Sequence, residues 1–240
     1  DLVKAQRVDG SVEVDGACVV PVAATEKEQT LELSDGAATG RIFLGRAEFR
    51  FLRFDQRTKI SSAKPFILGA PIPLGHSPRR KKLVLNLLLD GLSWQAMKAR
   101  GFRHIPNLMR FFSKGMIFQD NFSVAEYTYP ALATIDTGLY PHHSQIFNST
   151  CMGELPPSIL TLSEQMKRLG YYCVNVWGDS SGIYNGVTRG YDRLMAKPGG
   201  DGLHAYHGVH NALTQMRAFA ECDQFIFLHV EDAHPSTTAR

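Results

Sequence analysis

Two rhythms of apolar and polar residues divide this chain. Over residues 1–78 the apolar positions fall in short, partly alternating runs at 11–14, 18–22, 30–33, 41–44 and 47–54, separated by Asp9-Gly10, Asp15-Gly16 and Asp35-Gly36. Runs of that length between Asp-Gly turns predict a small antiparallel β module. Within 47–54, Phe49 and Phe51 share one face and Glu48 and Arg50 the other, as in a strand with one wet side. The aromatic stripe reads as core packing, with sugar binding as the alternative. Residues 65–78 carry Pro65, Pro71, Pro73 and Pro78 with Gly69 and Gly75, and predict an extended, flexible connector at a domain boundary.

Beyond the connector the period lengthens. The nearly continuous apolar run 82–89 predicts a strand buried on both faces. Helices are expected over 93–100, 107–114, 160–169 and 207–220 and from Thr128 onward, with strands over 116–123, 171–176 and 224–230. Strands alternating with helices imply an α/β domain over 79–240, a three-layer α/β/α sandwich around a mostly parallel sheet.

Composition narrows the partners. With 240 residues, 44% hydrophobic and 20% charged, the chain can build a sizeable core in one large domain or two. A net charge of +3 is too mild to imply nucleic acid, and the short cluster Arg79-Arg80-Lys81-Lys82 reads as a solvated linker end. No apolar run is long enough to span a bilayer. The chain begins at Asp1 without a signal pattern, so any targeting segment has been removed or was never included. Cys18, Cys151, Cys173 and Cys222 form no C-x-x-C pair. They read as small buried groups that favour a reducing, cytoplasmic setting, two disulfides in any of three pairings being the alternative.

Candidate chemistry gathers at the strand ends. The strand over 82–89 runs out at Asp90-Gly91, and the one over 224–230 at Glu231-Asp232-Ala233-His234. Carboxylates placed there occupy the crevice in which open α/β sheets bind ligands, so Asp90 and Asp232 are metal-ligand candidates at neighbouring strand ends. In an extended segment Asp232 and His234 project to one side, which makes His234 a further candidate. A loop histidine touching solvent or substrate is the equal alternative. Between these carboxylates lies 126–148, EYTYPALATIDTGLYPHHSQIFN, with Thr128 beside a proline, a small apolar run, and a turn followed by two histidines. A helix starting at Thr128 sets its hydroxyl among free backbone N–H groups at the positive helix end, suiting a nucleophile. The plainer alternative is a helix N-cap.

Thr128, Pro130 and Thr137-Gly138-Leu139-Tyr140-Pro141 through Ile146 together resemble the nucleophile segment of the alkaline phosphatase superfamily, in particular its sulfatase-like and nucleotide pyrophosphatase/phosphodiesterase branches. Leu88-Leu89-Asp90-Gly91 resembles the family's first metal strand and Ile105-Pro106-Asn107-Leu108 its "PNL" helix start. Gly170-Tyr171 with Gly190-Tyr191-Asp192 is similar to the following strand unit. The resemblance runs from residue 82 onward. It implies that Thr128 attacks a phosphate or sulfate ester while Asp90, Thr128, Asp232 and His234 hold two divalent ions, zinc or manganese before calcium or magnesium. It also implies a basic side chain, His142, near the substrate anion, and Asn148 is placed as an amide donor to a phosphoryl oxygen.

The departures from that pattern matter as much. The family commonly spaces its second-metal ligands as Asp-x-x-x-His, where Asp232-Ala233-His234 is shorter. It completes the site with a further Asp-His and another His well downstream, so the sequence as given is expected to hold half of a metal centre. Family sulfatases use a Cys or Ser, oxidised to formylglycine and followed by x-Pro-x-Arg; Thr128 cannot give that aldehyde and Leu132 replaces the arginine. The phosphodiesterase branch fits better, with Ala131 where it commonly has Asn and Gln145 where it commonly has Gly. The expected partner is a small-molecule or glycan-linked ester, in an oligomeric state left open. The competing readings are a sulfatase-type hydrolase and a noncatalytic relative whose β module binds glycan.

Overall fold

The structure is a computed structural model, which describes residues 5–46, 48–148, 153–177, 185–196 and 205–233. Among the described residues the turn-punctuated first part forms nine strands: β1 (Gln6–Val8), β2 (Ser11–Val14), β3 (Cys18–Ala24), β4 (Glu28–Ser34), β5 (Thr39–Gly45), β6 (Phe49–Phe54), β7 (Thr58–Ser61), β8 (Phe66–Leu68) and β9 (Ile72–Pro73). They pair in two antiparallel sheets, one ordered β1-β8-β3-β6 with β9 also on β3, the other β2-β7-β4-β5. At the predicted Asp-Gly turns Gly10 and Gly36 take φ of 86° and 90°, a conformation that glycine adopts without a Cβ penalty. Val20 and Val22 of one sheet and Leu31, Leu44 and Ile60 of the other meet in a shared core.

The connector is extended, as the prolines require, but it is tied down. Both β8 and β9 lie within it, and Phe66 and Ile72 are 0% exposed. Pro73 sits on β9, an edge position where a missing N–H breaks no ladder. Further along, Gly75 bridges to Cys222 and donates to the Glu221 carbonyl at 2.7 Å. Asp223, whose side chain is fully buried, then receives the Ser77 amide at 3.1 Å and Arg80 Nε at 2.7 Å, with His76 Nδ1 at 2.9 Å. Proline content reports an extended backbone; it carries no information about what the intervening apolar side chains dock onto.

The second part contains β10 (Leu83–Leu89), α1 (Trp94–Ala99), α2 (Pro106–Phe112), α3 (Thr128–Thr137), α4 (Pro141–Ser144), α5 (Leu162–Arg168), β11 (Tyr172–Trp177), β12 (Arg193–Ala196), α6 (Ala205–Ala218) and β13 (Gln224–Val230). Local chemistry starts the helices. Ser93 accepts the Ala96 amide, Pro106 opens α2, and Thr161 with Glu164 forms a reciprocal capping box on α5. The four strands make one parallel sheet ordered β10-β13-β11-β12. Tyr129, Leu132 and Ala133 of α3, with Leu162 and Met166 of α5, cover the face that presents Cys173, Trp177, Phe225 and Phe227. Ala212 and Met216 of α6 cover the other face, over Tyr172, Val174, Ile226 and Leu228.

The expected α/β fold is therefore present with its parallel sheet, accompanied by two antiparallel sheets. The β module shares the α6 side of the parallel sheet: Val19 and Ile72 enter that cluster, and Phe51 stands edge-on to Tyr172 at 5.9 Å and to Phe219 at 5.1 Å. This resolves the aromatic stripe in favour of packing at Phe51.

Two further sequence expectations fail. Residues 116–123 form no strand, and Met116, Phe118 and Phe122 are 78%, 74% and 87% exposed; β propensity without a neighbouring ladder does not make a strand. Nor is β10 buried on both faces. Leu83, Leu85 and Leu87 remain 44%, 45% and 39% exposed, because β10 is the sheet's edge and α6 packs on β11 and β13. Cys18, Cys173 and Cys222 are buried free thiols, and Cys151 lies outside the described residues. No helix among the described residues is long and apolar enough to cross a membrane.

Candidate active site

The site grows out of the pairing of β10 with β13. Their parallel register holds to the last residues, Leu89 opposite Val230, and the Asp90 amide still donates to the Val230 carbonyl at 2.9 Å. Gly91, at φ 70°, then turns the chain away. On β13 alternate side chains point to the α3 side, so His229 follows Phe225 and Phe227 there, and Glu231 comes next at the same parity. Asp90, His229 and Glu231 consequently each offer a ligand atom within 4.8 Å of the others. His229 is completely buried and sets Nε2 3.2 Å from Asp90 Oδ2.

Thr128 arrives from the other side. It is the first residue of α3, and Tyr127, extended at φ −147° and ψ 167°, occupies the N-cap. The Thr128 hydroxyl donates to Asp90 Oδ2 at 3.0 Å. The N-cap position belongs to Tyr127, and Thr128 follows it as the first helical residue, so Thr128 is not the N-cap residue. Helix α3 ends at Gly138, left-handed at φ 69°, whose amide returns to the Thr134 carbonyl at 2.8 Å. Gln145, the departure from glycine in the sequence pattern, ends α4 with φ 62°. That left-handed conformation explains why glycine suits the position.

The two strand-end approaches enclose a cleft of about 420 Å³. Asp90, Ser93, Glu126 and Thr128 supply its polar lining, and Leu92 and Ile135 stand in its apolar wall. Deeper along α3, Asp136 is 1% exposed, and burial pushes its carboxyl up to about 8.

The sequence candidates separate in space. Asp90 and Thr128 come together, as the strand-end argument requires. Asp232 sits one residue beyond Glu231, exposed in the turn after β13, while His234 lies outside the described residues. His142 is exposed on α4 and stacks on Tyr140 at 5.9 Å; it is not among the cleft-lining residues. Asn148 is half-buried, and the Tyr127 hydroxyl bonds the carbonyl of the preceding Phe147, which brings that stretch to the start of α3. His229 and Glu231 were not singled out by sequence reasoning. The available signal was a lone histidine in an otherwise apolar strand, two residues before a carboxylate.

A protein-family model described as Sulfatase matches residues 82–238. The chain belongs to the sulfatase family. At the level of its superfamily, this sulfatase-family chain is a hydrolase of the sulfatase and phosphoesterase type; such domains act on esters and typically use divalent metals. No curated protein matches it. Solved structures with partial likeness include a DUF861 family protein from Thermotoga maritima, at 7% identity over 29% of this chain and 78% of that one, TM-score 0.22. Drosophila melanogaster CENP-C bound to CAL1 matches at 12% identity over 27% and 55% of the two chains, TM-score 0.20. A family two carbohydrate esterase from Cellvibrio japonicus matches at 15% identity over 35% and 32%, TM-score 0.21. These likenesses are too slight to add to the family assignment.

Proposed function

We propose that this sulfatase-family chain is a metal-dependent hydrolase or phosphotransferase of phosphate esters and phosphodiesters, with Thr128 as the nucleophile. The observation that carries the reading is the 3.0 Å hydrogen bond from the Thr128 hydroxyl to Asp90 Oδ2 at the start of α3. The donor set beside it fits a cation. Two carboxylates and an imidazole have ligand atoms within 4.8 Å of one another, and carboxylates that close repel unless a proton or cation stands between them. One nitrogen and two carboxylate oxygens suit zinc or manganese. Asp90, His229 and Glu231 would hold a divalent ion, which would supply positive charge to polarise the ester and ease loss of the threonine proton. The second ion expected from the sequence falls to Asp232 at the same strand end.

The chain's own residues do the rest. Asp90 accepts the Thr128 proton as the oxygen–phosphorus bond forms and the bond from phosphorus to the leaving alcohol's oxygen breaks. The alkoxide departs and takes up a proton, and water or another alcohol then displaces the threonine oxygen from phosphorus, returning the proton to Thr128. Backbone N–H groups at the positive end of α3, which Thr128 opens, face the developing charge on the phosphoryl oxygens. Leu92 and Ile135 shelter the leaving group from water. His142 and Asn148 are assigned substrate contacts in this reading. Phosphoryl chemistry is favoured over sulfuryl because Thr128 cannot become formylglycine and Leu132 stands in place of the arginine.

The test is turnover of an aryl phosphodiester and an aryl sulfate by protein supplied with zinc or manganese. The phosphodiester should be preferred, Thr128→Ala should lose about 1,000-fold or more in kcat, and Thr128→Ser should retain measurable activity. Near wild-type kcat in Thr128→Ala, or preference for the sulfate, overturns the proposal.

A further inference from the structure

A row of buried polar atoms lies between α3 and the parallel sheet. Both Asp136 carboxyl oxygens, Trp177 Nε1 and His229 Nδ1 have no hydrogen-bond partner, and the Asn175 amide has none beyond the Tyr191 hydroxyl, which also lies near Ser163. None of the five residues is more than 8% exposed. Their placement shows that they share one layer. Asn175 and Trp177 alternate along β11 on the Cys173 face, and His229 continues the Phe225–Phe227 face of β13. Tyr191 stacks on Phe225 at 6.2 Å, and Asp136 is one turn beyond Leu132 and Ala133, which pack on the same face.

The register orders the row. Asn175 pairs with Phe227, so Trp177 falls level with His229, next to the Asp90 site. Helix α3 starts at the strand ends, where Thr128 meets Asp90. By Asp136 it has advanced roughly 12 Å at about 1.5 Å per residue. Descending the strands by that distance takes roughly four residues at about 3.3 Å each, which is the level of Asn175 and Phe227. Asp136 and Tyr191 therefore stand at the inner end and His229 at the catalytic end.

Leaving so many buried polar atoms dry would cost as much as the net stability of a whole domain. The mixture of groups identifies what fills the layer. Trp177 Nε1 and the Asn175 amide nitrogen only donate, which disfavours a cation, while the Asp136 carboxyl disfavours an anion. Water both donates and accepts, and buried water satisfies polar sites of this kind.

We propose that ordered water fills this layer and joins Asp136 and Asn175 to His229 Nδ1, making the two side chains positioning residues for His229. A hydrogen bond at Nδ1 fixes the tautomer and orientation of the ring whose Nε2 faces Asp90. Only this last consequence rests on the metal site proposed above. The water itself does not.

The experiment combines a high-resolution crystal structure of the metal-free protein with ¹⁵N-histidine NMR and zinc titration of wild type, Asp136→Asn, Asp136→Leu and Asn175→Leu. Expected are ordered waters between Asp136, Asn175 and His229, and a single His229 tautomer in wild type and Asp136→Asn. Asp136→Leu and Asn175→Leu should move the His229 nitrogen shifts and weaken zinc binding about 10-fold. Asp136→Asn keeps the shape and hydrogen-bonding capacity, so it controls for loss of fold. A dry layer in the wild type overturns the proposal, as do His229 shifts that ignore both leucine variants. If water and shifts behave as expected but zinc binds no form of the protein, the positioning of His229 stands and the metal reading falls.

Discussion

Asp136 makes the stability of the nucleophile helix depend on pH in a direction that can be worked out. Its carboxyl is 1% exposed, and burial raises it from 3.8 to about 8. In the unfolded chain it returns to an ordinary value near 4. Between these values the folded protein holds a proton that the unfolded chain has released. The stabilising contribution is therefore complete below about pH 4 and is lost as pH rises toward about 8, the sign expected for a raised carboxyl. The slope is about 1.4 kcal/mol per pH unit, so moving from pH 5 to pH 7 costs about 3 kcal/mol, a large part of a typical domain's 5–15 kcal/mol. Water beside the carboxyl lowers its folded value, which narrows the pH window over which this slope acts and leaves its sign. Asp136→Asn has nearly the same shape and never ionises. Urea unfolding of both proteins at intervals from pH 5 to pH 8 should show the variant increasingly more stable toward high pH, with the gap closing toward pH 5. Ionisations elsewhere act on both proteins alike, so the difference curve isolates this residue. A gap that is constant with pH, or that widens toward acid, refutes the reasoning.

Three further expectations concern packing and strain. Gly190, at φ 89°, lies against the start of α5, where an added Cβ would meet the Glu164 amide nitrogen and come within 2.6 Å of the Ser163 carbonyl carbon; Gly190→Ala should destabilise by roughly 3 kcal/mol, read as a lower Tm, and an unchanged Tm counts against that close approach. Gln145→Gly relieves a left-handed residue at φ 62° and should stabilise by about 1 kcal/mol in urea unfolding, whereas a loss would mean that the glutamine side chain contributes more than the strain removes. Burial raises the Asp223 carboxyl, but hydrogen bonds from Ser77, His76 and Arg80 outweigh it and hold the group below its usual range. Asp223→Ala should therefore release the connector to trypsin near Arg79 and Arg80, while the wild type should resist cleavage there; equal cleavage of both proteins argues against the latch.

What the sequence made legible was whatever the backbone itself demands. Asp9-Gly10 and Asp35-Gly36 became turns with left-handed glycines, Gly138 became the left-handed end of α3, and an apolar run followed by Asp90-Gly91 became a strand delivering a carboxylate. Thr128 and Asp90 could be placed together because both lie at the one sheet edge that parallel topology creates. His229 was not legible, since a histidine inside QFIFLHV looks like core until the long-range pairing of β10 with β13 sets it against Asp90. The connector misled for a similar reason: its prolines are local, while Asp223, which holds it, is far away in sequence. Residues 116–123 had the composition of a strand but met no ladder to join.

The central claim, that Thr128 is the attacking group, is tested most directly by trapping its adduct. Protein supplied with zinc or manganese would be mixed with an aryl phosphodiester, quenched in acid within the first turnover, digested and read by peptide mass spectrometry. The account predicts a phosphoryl ester on Thr128 in wild type, a serine ester in Thr128→Ser and no adduct in Thr128→Ala. Turnover that continues in Thr128→Ala, or an adduct on Thr134 or Thr137 with Thr128 unmodified, contradicts it.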